Sequence, residues 1–338
     1  MASKKSEHAV IAADIGGTNC RLSICTRDAK GIRIHSSKIM DTQRVRSITP
    51  NLLSLRDSAA KDGMKIQSVC IAAAGVVKNG VVRRSQNNLV IDEVDVSKAL
   101  GIDRVTVVND FTAYAASLDL IDYKDPRWVV PLTANSTHKT AAKKLVVGFG
   151  TGIGQGLRIP SAGGRRWTYI PSELGHAGLT IQNATDRSLH EYIKKTTKQD
   201  AEFEHLCSGS GIVLLYEYHN EGKQTSAFRA YVRTPDEHRA AFITTNRGKD
   251  KACRSAVNEF VRQCARYIRV ASLAFLPEEI YIAGGIAPKL VDEFKQAMFM
   301  RTFIEGPYVR SREDVPIFLL TKSDLGILGS AHIATTMP

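Results

Sequence analysis

The sequence lacks the features that would place the protein in a membrane, in a secretory compartment or in a zinc-binding class. Its 338 residues contain no stretch of about 18 apolar residues, the length that a membrane helix needs. Its six cysteines lack paired metal-ligand spacing, and a chain of this length needs no disulfide bonds to hold a core. Residues 1–8 are polar and leave no room for the apolar segment of a signal peptide. We therefore expect a cytoplasmic protein with reduced cysteines and no membrane partner.

The charge balance is basic, with 46 Lys and Arg against 34 Asp and Glu and a formal net charge of +12. Such a surplus can indicate nucleic-acid binding. The basic residues are scattered, however, and the densest patches, around Lys143 and from Arg247 to Arg254, contain no interleaved aromatic residues. We therefore expect no nucleic-acid partner, and we interpret the charge as solvated basic loops that attract small anions such as nucleotides.

The first part of the chain predicts three strands in succession, followed by alternation of helix and strand. Buried apolar runs and period-two alternation predict the strands, and leucines at helical spacing predict the helix. The predicted strands cover 10–13, 21–25, 32–39, 68–74 and 105–108, and the helix lies near 45–62.

A similar rhythm starts again after about residue 120 and suggests an ancient duplication. It again opens with a strand, a glycine-rich turn and a second strand, which is typical of α/β layering with a mixed sheet. The predicted strands are 144–149, 155–159, 279–283 and 315–320, and the predicted helices are 186–197, 209–220, 251–275, one from Pro288 and one from Gly326.

The first glycine-rich turn, Asp14-Ile-Gly-Gly-Thr-Asn19, follows the first predicted strand. Gly16 and Gly17 leave backbone N–H groups able to approach an anion, and Thr18 and Asn19 add side-chain donors. Asp14 beside such an anion makes chemical sense if a cation such as Mg²⁺ lies between them. The alternative is an ordinary β-hairpin in which Asp14 accepts hydrogen bonds from the turn amides.

The second glycine-rich turn has glycine at every second position from Gly148 to Gly156, which strips one face of a hairpin of side chains. It is neither a dinucleotide-binding motif nor a P-loop. A bare hairpin with Thr151 at its tip, between Gly150 and Gly152, suits a second phosphate contact. Close packing of another backbone is the alternative.

Two further glycine pairs lie at predicted helix starts. Gly209 and Gly211 open one helix, and Gly284 and Gly285 lead into another. Helix N-termini offer unsatisfied amides and the positive end of a dipole, and flat glycine surfaces can also flank an adenine ring.

Polar residues follow the strands. Asn109 and Asp110 end a buried strand, and a carboxylate at the carboxyl end of a strand in an open α/β sheet points into the ligand crevice. Asp110 therefore fits a general base that accepts a hydroxyl proton. The alternative is that Asp110 is the N-cap of the next helix.

Glu173 and His176, three residues apart, can hydrogen-bond vicinal hydroxyl groups, although a histidine satisfied by the backbone is the alternative. Glu204 and the cluster Gln86-Asn87-Asn88 supply further hydroxyl-binding residue types.

These motifs, in this order from Ile11 to Ala331, resemble the bacterial-type glucokinases, the zinc-free glucokinase branch of the actin/hexokinase/Hsp70 superfamily. The matching segments are Asp14–Asn19, Asn109–Phe111, Gly150–Gly154, Ser172–His176, Glu204–Ile212, Ala283–Pro288 and Gly326–Gly329. The resemblance implies an α/β, two-lobed actin/hexokinase-like (ribonuclease H-like) fold with a mixed central sheet in each lobe and a cleft between them. It places a small lobe at 1–115 plus about 322–338 and a large lobe at 116–321.

The resemblance also implies ATP-dependent phosphorylation of glucose at its 6-hydroxyl group, with Asp110 as the catalytic base, Mg²⁺ held by Asp14 through water, and a homodimer. The implied sugar-binding residues are Asn87, Asn109, Asp110, Glu173, His176 and Glu204. The implied ATP-binding residues are Asp14, Gly16, Gly17, Thr18, Asn19, Gly150, Thr151, Gly152, Gly209, Gly211, Gly284 and Gly285.

The chain departs from the family pattern at three places. Val76 and Ser210 stand where the family usually has proline, and the Thr-Asn-x-x-Trp sugar segment appears only as Ser85–Leu89. Which amide of Gln86, Asn87 and Asn88 touches the sugar therefore stays open, as does the choice of ATP, ADP or polyphosphate as donor.

Three other functions remain open on the sequence. A kinase for another hexose or an N-acetylhexosamine is the nearest, and a non-catalytic sugar-sensing regulator is the second. Such regulators usually carry an added helix-turn-helix, and only about nine residues precede the first strand here. The third, an actin-like ATPase, would not need Glu173, His176 and Glu204.

Overall fold

A computed structural model describes residues 7–84, 87–133, 137–138, 143–161, 163–164 and 166–337. It divides into two compact units. Unit 1 comprises Met1–Lys124, Gly156–Pro171 and Lys322–Pro338, and unit 2 comprises Asp125–Gln155 and Ser172–Thr321. The lobe boundaries near 115 and 322 stay a prediction about domains, and the structure groups 156–171 with unit 1 as well.

Unit 1 contains a mixed five-stranded sheet and a small three-stranded sheet. Its strands are β1 (Glu7–Ile15), β2 (Asn19–Asp28), β3 (Gly31–Asp41), β4 (Met64–Ala73), β5 (Val77–Lys78), β6 (Val81–Arg83), β7 (Val90–Asp92) and β8 (Val105–Asn109). The large sheet has the order β3-β2-β1-β4-β8, and the small one β5-β6-β7. β3, β2 and β1 pair antiparallel, whereas β1, β4 and β8 pair parallel. The three consecutive strands predicted from the sequence are therefore present.

The second sheet has six strands in the order β12-β11-β10-β13-β14-β9. They are β9 (Val129–Pro131), β10 (Lys144–Phe149), β11 (Ile153–Pro160), β12 (Trp167–Ser172), β13 (Glu279–Ala283) and β14 (Ile317–Leu320). β10, β13 and β14 pair parallel, and β9 pairs antiparallel with β14. The chain passes from unit 2 to unit 1 within β11, after Gln155, and returns at Ser172.

Eleven α-helices complete the described residues. They are α1 (Thr49–Lys61), α2 (Glu93–Leu100), α3 (Asp110–Ser117), α4 (Ala184–Thr197), α5 (Gly209–Asn220), α6 (Ser226–Arg233), α7 (Asp236–Asn246), α8 (Lys251–Phe275), α9 (Val291–Phe294), α10 (Ala297–Ile304) and α11 (Leu325–Thr336). Within these residues no helix is both long and apolar enough to cross a bilayer.

The core of unit 1 covers both faces of the five-stranded sheet. Successive side chains of a strand point to opposite faces, so β1 contributes alternately to two apolar clusters. Ile11 lies in the cluster with Leu52 of α1, and Val10 lies in the cluster with Ile327 and Ala331 of α11. The two helices therefore hold β1 in place from opposite sides.

The core of unit 2 is built on α8. Its residues Ala256, Phe260, Cys264 and Ile268, four apart in the sequence, are all fully buried, as their spacing predicts. Phe149, the last residue of β10, packs edge-on against Phe260 with ring centroids 6.1 Å apart. The strand that leads into the second glycine-rich turn is thereby fixed to the central helix.

Candidate active site

The carboxyl edge of the parallel strands β1, β4 and β8 gathers the predicted residues of unit 1. In the strand register Asp14 lies beside Ala72, and Ala72 lies beside Val108. Neighbouring strands are about 4.8 Å apart, so the ends of β1 and β8 are separated by about 10 Å. We call the residues at this edge the unit 1 strand-end cluster; they are Asp14, Gly16, Gly17, Thr18, Asn19, Asn109 and Asp110.

Asp14 is half-buried at the end of β1. Burial raises the pKa of its carboxyl group to about 6, and the positive charge of Arg21 opposes this rise. The carboxylate lies against Gly326 in the first turn of α11, where any side chain would collide with its oxygens. The positive end of a helix dipole favours a negative charge at such a position.

Asp14 suits a magnesium ion that takes its other ligands from water and substrate. Among residues 7–337, apart from the few left undescribed, no three His, Cys, Asp or Glu side chains gather as a metal site. A cation at Asp14 therefore needs its other ligands from water and phosphate oxygens. Mg²⁺ is commonly bound in this way, through one or two carboxylates together with water and substrate phosphates.

The first glycine turn is partly closed by its own hydrogen bonds. The Gly16 N–H donates to the Asn19 carbonyl at 3.0 Å, and the Thr18 carbonyl accepts from the Thr42 N–H at 2.9 Å. The Gly16 amide is therefore engaged within the turn. Gly17, Thr18 and Asn19, which are half-buried or exposed, are the better candidates for an anion.

The end of β8 places Asn109 and Asp110 at the start of α3. Asn109 is the N-cap: its Oδ1 accepts from the Phe111 N–H at 2.8 Å, and its Nδ2 donates to the Gly75 carbonyl at 3.0 Å. The N-cap role, which was the alternative for Asp110, thus belongs mainly to Asn109. Asp110 is the first residue of the helix and is half-buried.

The pKa of Tyr114, one turn further along α3, is affected by the charges around it. Burial raises the pKa of its phenol, and the negative charges of Asp14 and Asp110 raise it further. Both carboxylates therefore act on one side chain, although 96 positions separate them in the sequence.

Asn87 is buried and anchors the chain within unit 1. Its Nδ2 donates to the Thr42 carbonyl at 2.8 Å and to the Val45 carbonyl at 3.3 Å. The contact of Asn87 with the sugar stays a prediction. In this structure the side-chain amide holds the two backbone carbonyls. Ser85 and Gln86 lie outside the described residues.

Sequence reasoning missed Arg84, which is only 6% exposed. Its Nη1 donates to the carbonyl oxygens of Ile15, at 3.2 Å, and of Gly16, at 2.9 Å. A lone arginine after a short strand carries no motif, and only the fold shows that its side chain reaches the first glycine turn.

The second glycine turn lies in unit 2 between β10 and β11. The Gly150 N–H donates to the Gly152 carbonyl at 3.0 Å, and the Gly150 carbonyl accepts from the Gly209 N–H at 2.8 Å. A side chain at Gly152 would collide with the Glu204 carboxylate, whose Oε2 accepts from the Ile153 N–H at 3.0 Å. The predicted residues Gly150, Thr151, Gly152, Gly209 and Glu204 are thus brought together.

Close packing explains two of the remaining glycines. Gly211 has no room for a side chain against the backbone of Leu206, and its N–H donates to Ser208 Oγ, the N-cap of α5, at 3.1 Å. Gly284 has φ +94° and lies against the Phe149 backbone. Gly285 differs, because it is exposed and faces open space.

Glu173 and His176 are both exposed on a turn of unit 2. The His176 Nδ1 lies 2.9 Å from Glu202 Oε2. This hydrogen bond raises the pKa of His176, and the negative charges of Glu204, Glu202 and Glu173 add to the effect. Three carboxylates therefore lie close enough to this imidazole to act on its charge. Glu202 was missed because it belongs to no motif. We call Glu173, His176, Glu202 and Glu204 the unit 2 acidic cluster.

Comparisons with known proteins give the family. The glucokinase family model matches residues 11–337. A glucokinase of Pseudomonas aeruginosa is 29% identical over 335 residues, which cover 95% of this chain and 92% of that protein. The crystal structure of a glucokinase from an Antarctic psychrotroph matches with a TM-score of 0.79 and 23% identity, over 97% of this chain and 99% of the other. The structure of a Balamuthia mandrillaris glucokinase in complex with glucose matches with a TM-score of 0.78 and 19% identity, over 99% of this chain and 95% of the other.

The chain therefore belongs to the glucokinase family. The resemblance inferred from the motifs is confirmed, and so is the α/β actin/hexokinase-like fold class, which the structural matches show over nearly the whole chain.

Proposed function

We propose that this protein transfers the terminal phosphoryl group of ATP to the 6-hydroxyl group of glucose, with Asp110 as the general base. Membership of the glucokinase family supports ATP-dependent phosphorylation of glucose as the reaction. The observation that carries the assignment of the base is the position of Asp110. It begins α3 directly after β8, at the same edge of the sheet as Asp14 and the first glycine turn.

Asp110 supplies the proton chemistry. The sugar oxygen forms a bond to the γ-phosphorus, the bond from that phosphorus to the bridging oxygen breaks, and ADP leaves. Asp110 takes the hydroxyl proton during this step, and a positioned base of this kind contributes about 10²–10⁴-fold to the rate. The rest of the catalysis is placement of the reactants and stabilisation of charge on the moving group.

The nucleotide is assigned to the glycine-rich residues. Gly17, Thr18 and Asn19 in unit 1 and Thr151 and Gly152 in unit 2 are proposed to contact the phosphates, and Gly285 offers the open surface for the adenosine. Asp14 would hold Mg²⁺ through water, and the bound ion would neutralise charge on the phosphate oxygens.

The sugar hydroxyls are assigned to Glu173, His176 and Glu204. The Glu204 carboxylate is held in one orientation by the Ile153 N–H, so little freedom is lost when it binds a hydroxyl group. A site that hydrogen-bonds a hydroxyl group can reject the deoxy analogue by roughly 10⁴-fold, because its own polar groups are then left unpaired. These three residues therefore decide which sugar is accepted. We further expect a cytoplasmic homodimer, on the basis of the family.

The experiment is a sugar panel under ATP and Mg²⁺. Glucose 6-phosphate is measured by coupling to its dehydrogenase, and other hexoses, N-acetylhexosamines and 2-deoxyglucose are compared by ADP release. We expect stoichiometric sugar phosphate and ADP, with glucose as the best substrate. ATP turnover without sugar phosphate, or sugar binding without turnover, would contradict the proposed function.

A further inference from the structure

Arg84 is a buried arginine at the end of β6 whose role no motif explains. It lies next to an exposed arginine, Arg83, yet its own side chain is withdrawn from solvent. Burying a guanidinium group is costly unless its donors and its charge are used. The contacts of the Arg84 side chain therefore indicate its role.

The guanidinium group holds the start of the first glycine turn. Nη1 donates to two successive carbonyl oxygens, those of Ile15 and Gly16, at 3.2 and 2.9 Å. Fixing two successive carbonyls also fixes the peptide planes that carry the next N–H groups, because the peptide unit is planar. The orientation of the Gly17 amide, a candidate phosphate donor, thus depends on Arg84.

The segment that carries Arg84 is itself anchored. The Arg84 N–H donates to the Leu89 carbonyl at 3.0 Å, and the carbonyl of Asn87 accepts from Arg46 Nη1 at 3.1 Å. The base of the side chain is therefore fixed, so its guanidinium group is presented to the turn in one place.

The charges of Arg84 and of the proposed base influence each other. Burial lowers the pKa of the guanidinium group, and the negative charge of Asp110 is the larger of two opposing influences, the other being the Cys20 thiol. Arg84 in turn acts on Cys20, which pairs with Ile15 across β1 and β2. The side chain thus lies within electrostatic reach of both the first turn and Asp110.

We propose that Arg84 is a positioning residue of the unit 1 strand-end cluster, which fixes the first glycine turn through the carbonyls of Ile15 and Gly16 and supplies a permanent positive charge that acts on Asp110. The inference rests on the proposed function and adds a residue to it. Arginine suits this role because it stays charged and presents its donors in a rigid plane. Preorganised charges and donors of this kind need no reorganisation when charge moves in the transition state.

The test compares R84M, R84Q and R84K with the matched control R83M, which removes a neighbouring exposed arginine. For each variant we measure kcat, the KM values for glucose and ATP, and the melting temperature. We expect R84M to lower kcat by about 10²-fold, because a small misplacement of groups that position the reactants is costly. The KM for glucose should change much less, because the sugar is assigned to unit 2. R84K should keep more activity than R84Q, since it retains the charge.

The outcomes distinguish a failure of the proposed function from a failure of the role of Arg84. If the wild-type protein makes no glucose 6-phosphate, the proposed function fails before Arg84 is tested. If the wild-type protein is active and the kcat values of R84M and R84Q are within about twofold of R83M, the role of Arg84 is overturned. If R84M does not fold, R84Q carries the test, because its amide can still donate to a carbonyl while the charge is gone. A kcat of R84Q equal to that of R84K would also contradict the role of the charge.

Discussion

In the five-stranded sheet the strands lie in the order β3-β2-β1-β4-β8, and β12-β11-β10-β13-β14 repeat this order in the six-stranded sheet. In each of these two sets of five strands, a glycine turn therefore joins the first and second strands along the chain. The residue one place before the end of the first strand differs. It is Asp14 in β1, beside Ala72, and Gly148 in β10, beside Ala283. This shared order agrees with the duplication that the sequence suggested.

The last strands of the two sets, β8 and β14, also differ in whether an acidic residue lies at their end. β8 ends at Asn109 and leads into Asp110, whereas β14 ends at Leu320 and is followed by Thr321. One scaffold therefore carries half-buried acids at the strand ends in unit 1. In unit 2 the corresponding ends are free of acids, and the carboxylates come from the turns at 173 and 202–204. On the proposed function, proton transfer is assigned to unit 1 and recognition of the sugar hydroxyls to unit 2.

The strongest way to break this division is D110N. The amide keeps the shape of the side chain but cannot accept the sugar proton, so kcat should fall by about 10²–10⁴-fold. The coupled assay measures this loss, and D103N, at an exposed aspartate of the same unit, is the control. A near-normal kcat for D110N would reject Asp110 as the base.

The next largest effect is expected for E204A in unit 2. Losing a hydrogen bond to a charged group costs about 1.5–3 kcal/mol, so the KM for glucose should rise by about 10–100-fold. The KM for ATP should rise far less. E191A, at an exposed glutamate of unit 2, is the control. Equal rises in both KM values would remove Glu204 from the sugar site.

A third test uses glycine rather than charge. In G326A the new methyl group would displace the Asp14 carboxylate, which lies against this position. A small misplacement of a reacting group is costly, so we expect activity to fall by at least about tenfold. G248A, at an exposed glycine of unit 2, meets no neighbouring atom and should keep its kcat. If the two variants have the same kcat, the close approach of α11 to Asp14 is not needed for activity.

The smallest effect concerns pH and tests Asp14 alone. Because burial raises its pKa from 3.8 to about 6, the carboxylate forms only as the pH rises through about 6. The kcat/KM for ATP should therefore increase over this range. Stability should change in the opposite direction between about pH 4 and pH 6, because the unfolded chain releases this proton first and the folded state retains it.

D14N should remove both dependences. The pH profile of kcat/KM and the melting temperature are measured on the wild-type protein and on D14N. A wild-type profile that is flat around pH 6, or one that D14N leaves unchanged, would contradict the assignment of this titration to Asp14.

Strong patterns allowed much of the fold to be predicted. α8 and β13 have the predicted bounds. The long run of apolar residues four apart predicts a helix for α8, and the short, mostly apolar run predicts a strand for β13. The helix expected from Pro288 begins instead as a 3₁₀ helix over Ala287–Leu290 and continues as the four-residue α9. α2, α6, α7 and α10 were not predicted, since they have 8 to 11 residues and packing rather than propensity decides such helices.

The site was predictable where the chemistry follows a strand end. Asp14 and Asp110 lie at such ends, and the register of β1, β4 and β8 brings them to one edge. Arg84 and Glu202 were not predictable, because they lie outside the motifs and their partners are distant in sequence. The hydrogen bond from the Gly16 N–H to Asn19 was also hidden, since a glycine in a sequence does not show whether its amide is already engaged.

The most direct test measures glucose affinity by calorimetry and kcat by the coupled assay on D110N and E204A side by side. We predict a crossed pattern. D110N should bind glucose with nearly wild-type affinity and turn over at least about 10²-fold more slowly, whereas E204A should lose affinity and keep most of its kcat at saturating glucose. Equal losses of affinity and turnover in both variants would contradict the division of chemistry and recognition between the two units.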